Sequence, residues 1–143
     1  MAKYDVTYAC GHTGTVQLFG KVSARYEHLD WLATCDCPDC KEQARKKVNA
    51  ANAAAAAEMD FPALLGTPKQ IAWAESIRME AYRKWMGAIR LADNSAGAQT
   101  ALEAINYAIQ HATSASEWID NRNNKSIMLN GYRNQMHQQR EGA

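Results

Sequence analysis

The first 20 residues alternate apolar and polar positions with the two-residue period of a β-strand. The apolar residues of the first run are Tyr4, Val6 and Tyr8. Residues 15–19 form a second β-rich run, and Gly11 and Gly14 lie between the runs, where glycine permits a tight turn. The pattern predicts a β-hairpin that ends at Gly20 and carries the sequence CGH at its tip.

Beyond the hairpin, apolar residues recur at three- and four-residue spacing, which is typical of helices. The predicted helices cover residues 23–33, 41–59, 67–91, 98–109, 114–119 and 125–140. We expect Ser23 to cap the first of them, and Ser114 or Ser116 to cap the short one. The sequence TPKQ from Thr67 predicts a capping box, since it places Pro at the first helical position and Gln three residues after the cap. The predicted apolar side of the first helix comprises Val22, Tyr26, Leu29, Trp31 and Leu32.

Two breaks divide the helical part of the chain. Pro62 ends the second helix, because proline disfavours helical backbone in the residue before it. The second break is a predicted loop marked by Asp93, Asn94, Ser95 and Gly97. We therefore expect an α+β, mainly α protein: a zinc-ribbon-like head over residues 1–48, a helix end and linker over 49–66, and a helical bundle body over 67–143.

Four residues near the start have the residue types and spacing of a zinc site. Cys37 and Cys40 form the pair CPDC, and Cys10 and His12 form a tighter pair around a glycine. Structural zinc takes four N or S ligands, usually from two short chelating pairs. The sequence therefore predicts a Zn²⁺ ion that stabilises a head otherwise too small for a large core.

The motif CDCPDC begins with a thiol additional to the CPDC pair, and this thiol leaves the ligand set open. Cys35 is an alternative fourth ligand, in which case His12 would support the site from outside, and a metal-free cluster of thiols is a third possibility. A structural ion is favoured over a catalytic one because four protein ligands are present. The His-x-Glu motif of zinc deaminases is absent, since Thr13 and Gly14 follow His12.

The bulk composition excludes several classes of protein. A formal net charge of +1 argues against binding nucleic acid through overall charge. The first residues lack the apolar segment of a signal peptide, and no stretch has the ~20 apolar residues of a membrane span. We therefore expect a cytoplasmic protein without a membrane partner, in which reduced cysteines are available to a metal.

Local clusters of basic residues indicate possible contacts with nucleic acid or a partner. The residues concerned are Lys41, Arg45, Lys46, Lys47, Arg78 and Arg83. The first four follow the last predicted zinc ligand on a predicted helix, and the other two lie among aromatic residues. The stronger explanation is structural, because Trp85 belongs to the apolar stripe of its helix and Glu80 can pair with Lys84 at helical spacing. Near the zinc ligands, Asp39 and Glu42 dilute the basic charge.

Several segments resemble a family of small bacterial, phage and plasmid-borne proteins. The matching segments are YACGHTGTVQLFGK, WLATCDCPDC, LLGTPKQIAWAESIR and the Trp-Ile-Asp at Trp118, whereas the alanine-rich run and the tail are unmatched. The resemblance implies zinc binding and an origin on a mobile element, and it supplies no activity that could be carried over to this chain. Many members lack a thiol at the position of Cys35, so the resemblance favours His12 as the fourth ligand.

The leading hypothesis is a non-enzymatic protein that contains zinc and binds a host protein or complex. An inhibitor of a host defence complex, such as a CRISPR effector, follows by association with other small proteins of mobile elements. The alternative is a nucleic-acid-binding zinc ribbon that uses the helix after Cys40 and the basic tail. The sequence does not indicate an oligomeric state.

Overall fold

The computed structural model describes residues 2–92 and 96–142, and its class is α+β, mainly α, as predicted. In chain order the elements are β1 (Ala2–Thr7), β2 (Thr13–Leu18), α1 (Val22–Ala33), α2 (Pro38–Glu58), α3 (Pro68–Leu91), α4 (Ala96–His111), α5 (Ala115–Asp120) and α6 (Lys125–Glu141). The chain forms two compact units, of which one ends at Val48 and the other begins at Asn49, so α2 contributes to both.

The predicted hairpin forms the start of the first unit. Strands β1 and β2 are antiparallel, and their register pairs Ala2 with Leu18 and Thr7 with Thr13. One face of the hairpin is buried, and the small core of this unit consists of Val6, Tyr8 and Cys37. The alternation of apolar and polar residues thus corresponds to the alternation of buried and exposed positions, which is why the sequence identified the strands.

Helix α1 covers this core only in part. Leu29 and Leu32 pack against it, but no residue of α1 is fully buried. Three further residues assigned to its apolar side, Val22, Tyr26 and Trp31, are more than half exposed. The predicted cap at Ser23 is also wrong, because the helix already begins at Val22 with Lys21 at the N-cap and no side-chain bond there.

Helix α2 begins directly after Cys37, with Pro38 in its first turn, and ends one residue before the predicted end. The N–H of Phe61 donates to the carbonyl of Ala56 at 2.9 Å, and that of Asp60 donates to Ala57 at 3.1 Å. These two bonds are those of a Schellman motif, in which the residue after the helix adopts left-handed backbone. Asp60 has that conformation, with a φ of 56°.

Residues 63–66, the end of the segment predicted as helix end and linker, are held by specific contacts in the second unit. Leu64 is buried in its core. The N–H of Leu65 donates to Thr113 at 2.8 Å, and the N–H of Ala115 donates to Leu65 at 2.9 Å. The segment therefore pairs with the residues that connect α4 and α5.

The core of the second unit lies between α3, α4, α5 and α6. Trp118 is fully buried, and its indole N–H donates to the carbonyl of Ala112 at 2.8 Å. The capping box at the start of α3 is confirmed: Thr67 Oγ1 accepts from the N–H of Gln70, and Gln70 Oε1 accepts from the N–H of Thr67.

The predicted loop between α3 and α4 falls largely outside the described residues. Asp93, Asn94 and Ser95 are not described, and Gly97 lies within the first turn of α4 rather than in a loop. Over the described ranges, none of the helices combines the length and the apolar composition needed to cross a membrane.

The proposed contact residue Arg78 is a buried structural residue instead. Its side chain is about 1% exposed and forms a bidentate ion pair with Glu75, with distances of 2.9 and 2.6 Å. Its Nη1 also donates to the carbonyl of Pro62 at 2.7 Å, and its guanidinium lies over the ring of Phe61. The prediction that Arg78 contacts nucleic acid or a partner is therefore wrong, because its charge is compensated inside the fold.

Candidate metal centre

The turn of the hairpin fixes the first pair of candidate ligands. The N–H of Tyr8 donates to the carbonyl of His12, and the N–H of Gly11 donates to the carbonyl of Tyr8, both at 2.9 Å. Gly11 has a φ of 85°, a left-handed conformation that glycine adopts without strain. Cys10 and His12 therefore lie on either side of a glycine in a closed turn.

The start of α2 fixes the second pair. The N–H of Cys40 donates to the Sγ of Cys37 at 3.4 Å, and the N–H of Lys41 donates to the carbonyl of Cys37 at 3.0 Å. Backbone N–H groups at the start of a helix favour negative charge, and here the N–H of Cys40 is directed at the sulfur of Cys37. Cys37 is buried, and Cys40 is half-buried.

Backbone contacts hold the two pairs together. The N–H of Ala9 donates to the carbonyl of Cys35 at 2.9 Å, which ties the hairpin tip to the segment before α2. The N–H of Cys37 donates to the Sγ of Cys10 at 3.3 Å, so a ligand of one pair is bonded directly to the other pair.

The four candidate ligand atoms converge to within 4.8 Å of one another. The Nδ1 of His12 lies 3.3 Å from the Sγ of Cys10, 3.6 Å from that of Cys37 and 3.4 Å from that of Cys40. Ideal zinc bond lengths and a tetrahedral angle require about 3.6 Å between a nitrogen and a sulfur ligand. The imidazole thus faces all three sulfurs through one nitrogen, at the separations of a tetrahedral site.

The chemistry of these four residues fits a zinc ion. Three thiolates and one imidazole match the Cys₃His set of structural zinc sites, whereas calcium and magnesium require oxygen ligands. The four side chains would fill all four positions of a tetrahedral ion. Zinc held in this way would link the hairpin to α2.

Two of the thiols differ in acidity. Hydrogen bonds from the backbone N–H groups of Cys37 and His12 lower the pKa of Cys10 to about 6. The pKa of Cys40 is raised to about 12, first by its hydrogen bond with the Cys37 thiol and then by loss of solvation. These contacts therefore favour the thiolate at Cys10 and the protonated thiol at Cys40.

The thiol of Cys35 lies outside the group of converging ligand atoms. Its Sγ lies 3.9 Å from Thr34 Oγ1, and its backbone carbonyl accepts from the N–H of Ala9 in the hairpin. The structure therefore assembles the set that contains His12, and Cys35 contributes through its backbone. Asp36 and Asp39 are exposed and do not belong to the group either.

Five of the basic residues singled out in the sequence are at the surface. Lys41, Arg45, Lys46 and Lys47 are exposed on α2, and Arg83 is exposed on α3. Arg45 forms an ion pair with Glu42.

The sequence did not indicate that Lys41 would have an aromatic neighbour. Its Nζ lies 5.7 Å from the ring centroid of Trp31, which had been assigned to the apolar side of α1. The two lie ten positions apart, and the turn at Cys35 and Cys37 brings them together, so helical spacing alone does not reveal the pair.

The chain was compared with protein-family models, with curated proteins and with solved structures, and no match was found. The resemblance to small proteins of mobile elements therefore stays a prediction. What stands is the geometry of the four converging ligands and the helical fold that follows them.

Proposed function

We propose that this chain is a non-enzymatic binding protein whose head folds around one structural zinc ion and binds another protein. Two parts of the proposal have separate support. The role of zinc rests on the four converging ligands, and the binding role rests on apolar side chains that the head leaves in solvent.

The zinc is proposed to be structural because protein side chains occupy every tetrahedral position. A catalytic zinc retains a position for water or substrate, and none remains when Cys10, His12, Cys37 and Cys40 all bind. Zinc binding of this kind contributes about 10–16 kcal/mol in isolated zinc-finger peptides, which is ample for a unit with so small a core.

The observation that carries the binding role is the mismatch between core and surface in the head. Among the described residues of the head, the buried core consists of Val6, Tyr8 and Cys37. In contrast, Phe19 is 70% exposed, and Val22 and Tyr26 are 58% and 57% exposed. Val22 and Tyr26 are one helical turn apart, so they share a face of α1. Aromatic residues at the surface are enriched in protein interfaces, where burial stabilises the complex.

The test is an affinity capture from the bacterial host with matched variants. The zinc-loaded protein should retain a defined partner that Tyr26→Ser with Val22→Ser no longer retains. Leu91→Ser is the control, because Leu91 is 89% exposed but belongs to the second unit. A partner lost equally in the control, or no partner that rebinds in purified form, would contradict the proposal.

A narrower role, inhibition of a host defence complex such as a CRISPR effector, is proposed from the sequence resemblance alone. Its test is direct: the purified protein is added to a reconstituted effector and target cleavage is measured. Inhibition by the wild type but not by the Val22 and Tyr26 double variant would link this role to the same surface. Unchanged target cleavage by a panel of effectors would exclude this inhibitory role.

A further inference from the structure

We propose that the head also binds single-stranded nucleic acid, with a base stacked on Trp31 and phosphates on Lys41 and Arg45. This inference goes beyond the proposed binding of a protein and uses different residues. All the residues on which it rests belong to the first compact unit.

The indole of Trp31 is available to a ligand. Its side chain is 54% exposed on α1, while Leu29 and Leu32 of the same helix pack against the core of the head. The ring of His28 lies beside it, with centroids 5.4 Å apart and ring planes at 41°. Because the rings are not stacked face to face, the histidine leaves room for a planar group against the indole.

Two basic residues continue from this ring along α2. The Nζ of Lys41 lies 5.7 Å from the centroid of the indole. Arg45 follows one helical turn later, so its side chain lies on the same face as Lys41. Both residues are exposed, and the ion pair of Arg45 with Glu42 is a surface pair, which contributes little and does not prevent a phosphate from competing.

An exposed aromatic ring next to exposed cations is the combination that binds single strands. Any base can stack on an indole, and alanine substitution of such a ring costs about 1–3 kcal/mol per base, while lysine and arginine neutralise the backbone. A duplex hides the faces of its bases in the stack, so the surface should discriminate between single and double strands. With acidic and basic residues balanced over the chain, recognition would depend on this local group rather than on total charge.

Binding is tested with the full zinc-loaded chain and fluorescein-labelled oligonucleotides: a thymidine 12-mer, a uridine 12-mer and a duplex of equal length. Anisotropy at low salt should show tighter binding of the single strands than of the duplex. Trp31→Ala should weaken single-strand binding about tenfold, and Trp31→Phe should weaken it less, because phenylalanine still stacks.

The second unit offers a matched control for the tryptophan. Trp73 is 50% exposed, and the guanidinium of Arg122 lies 5.5 Å from its ring centroid. Trp73→Ala should leave binding unchanged, because Nη1 of Arg122 donates to the carbonyl of Ile119 at 2.8 Å and this cation is therefore held by the fold. An equal loss in Trp73→Ala and Trp31→Ala would overturn the proposal, because binding would then not be localised on the head.

The cations are tested through the salt dependence of binding. Each phosphate contact contributes about 0.7 to the slope of log affinity against log salt for a single strand. Lys41→Gln with Arg45→Gln should therefore lower the slope by about 1.4, whereas Lys69→Gln in the second unit should not change it.

Zinc content and circular dichroism check the fold of each variant. If Trp31→Ala fails to fold, Lys41→Glu tests single-strand binding in its place, because this substitution alters only an exposed side chain. The absence of single-strand binding at low salt, or an unchanged slope in the double variant, would refute the inference.

Discussion

The Nδ1 atom of His12 lies 3.4 Å from the Sγ atom of Cys40, although 28 positions separate the two residues in the chain. One belongs to the turn of a hairpin and the other to the first turn of α2. The bond from Ala9 to the carbonyl of Cys35 places these two turns side by side. Each turn alone supplies only two ligands, so a metal ion held here would link elements that otherwise share a very small core.

Removal of one thiolate should abolish metal binding. Cys40→Ser is expected to lose zinc and unfold the head, because three ligands remain and the two turns are no longer joined by an ion. Elemental analysis of the purified protein should give about one zinc ion per chain for the wild type and almost none for the variant.

Cys35→Ser is the matched control, since its thiol lies outside the ligand group. It should retain zinc and the melting temperature of the wild type. Full zinc content in Cys40→Ser, or loss of zinc in Cys35→Ser, would show that the ligand set is assigned incorrectly.

Zinc binding should release protons and weaken as the pH falls. The pKa of Cys40 is raised to about 12 in the metal-free group, so this thiol is protonated near neutral pH and must lose its proton to bind. Cys10, with a pKa lowered to about 6, is largely a thiolate already and takes up protons only below that pH. Affinity should therefore decline on acidification, and steeply once Cys10 is also protonated.

Calorimetric titration with zinc in two buffers of different ionisation enthalpy measures the number of protons released. Release of about one proton or more per zinc ion bound near neutral pH by the wild type agrees with this account. An affinity that does not change between about pH 5 and 8 would contradict it, because protons and zinc compete for the thiolates over this range.

The sequence predicted the local elements well, because their signals are local. The alternation around Val6 identified β1, and the capping box at Thr67 identified the start of α3. The two pairs of ligands were found for the same reason, since each pair lies within a single turn. Their convergence was an inference from the preferences of zinc, and it agrees with the geometry.

The errors come from contacts between distant residues. From the sequence, Arg78 was predicted to be a basic contact residue at the surface. In the structure it is buried, and Glu75 and the carbonyl of Pro62 compensate its charge. Residues 63–66 follow the helix break at Pro62 and were predicted to be a linker, yet Leu65 pairs with the backbone that connects α4 and α5. Trp31 was assigned to the apolar side of α1, but its side chain is 54% exposed because the head has too little core to bury it. None of these outcomes follows from spacing along the chain.

The buried ion pair should be important for the stability of the second unit. Arg78→Ala leaves Glu75 buried without its partner, and breaking such a pair costs about 3–5 kcal/mol. Arg78→Ala also removes the bond that fixes Pro62. Urea denaturation should therefore show a strongly reduced midpoint.

The surface pair of Glu103 and Arg140 is the comparison. Glu103→Gln should change the free energy of unfolding by less than about 1 kcal/mol, because exposed pairs contribute little. Similar effects of Arg78→Ala and Glu103→Gln would mean that burial does not determine the contribution of the Arg78 pair.

Two glycine substitutions should change stability in opposite directions. A Cβ atom at Gly66 would lie 3.0 Å from the Cβ of Ala115 and 3.1 Å from Oε1 of Gln70, the side chain that completes the capping box of α3. Gly66→Ala should therefore displace the segment that holds Leu64 in the core and cost about 1–3 kcal/mol, as overpacking does.

Gly131 lies inside α6, where an added Cβ meets nothing within 4 Å. Gly131→Ala should stabilise the protein by about 0.5–1 kcal/mol, because alanine loses less backbone entropy in a helix. Urea denaturation of both variants measures the difference, and a shift of the same sign in both would contradict the close approach of Gly66 to α5.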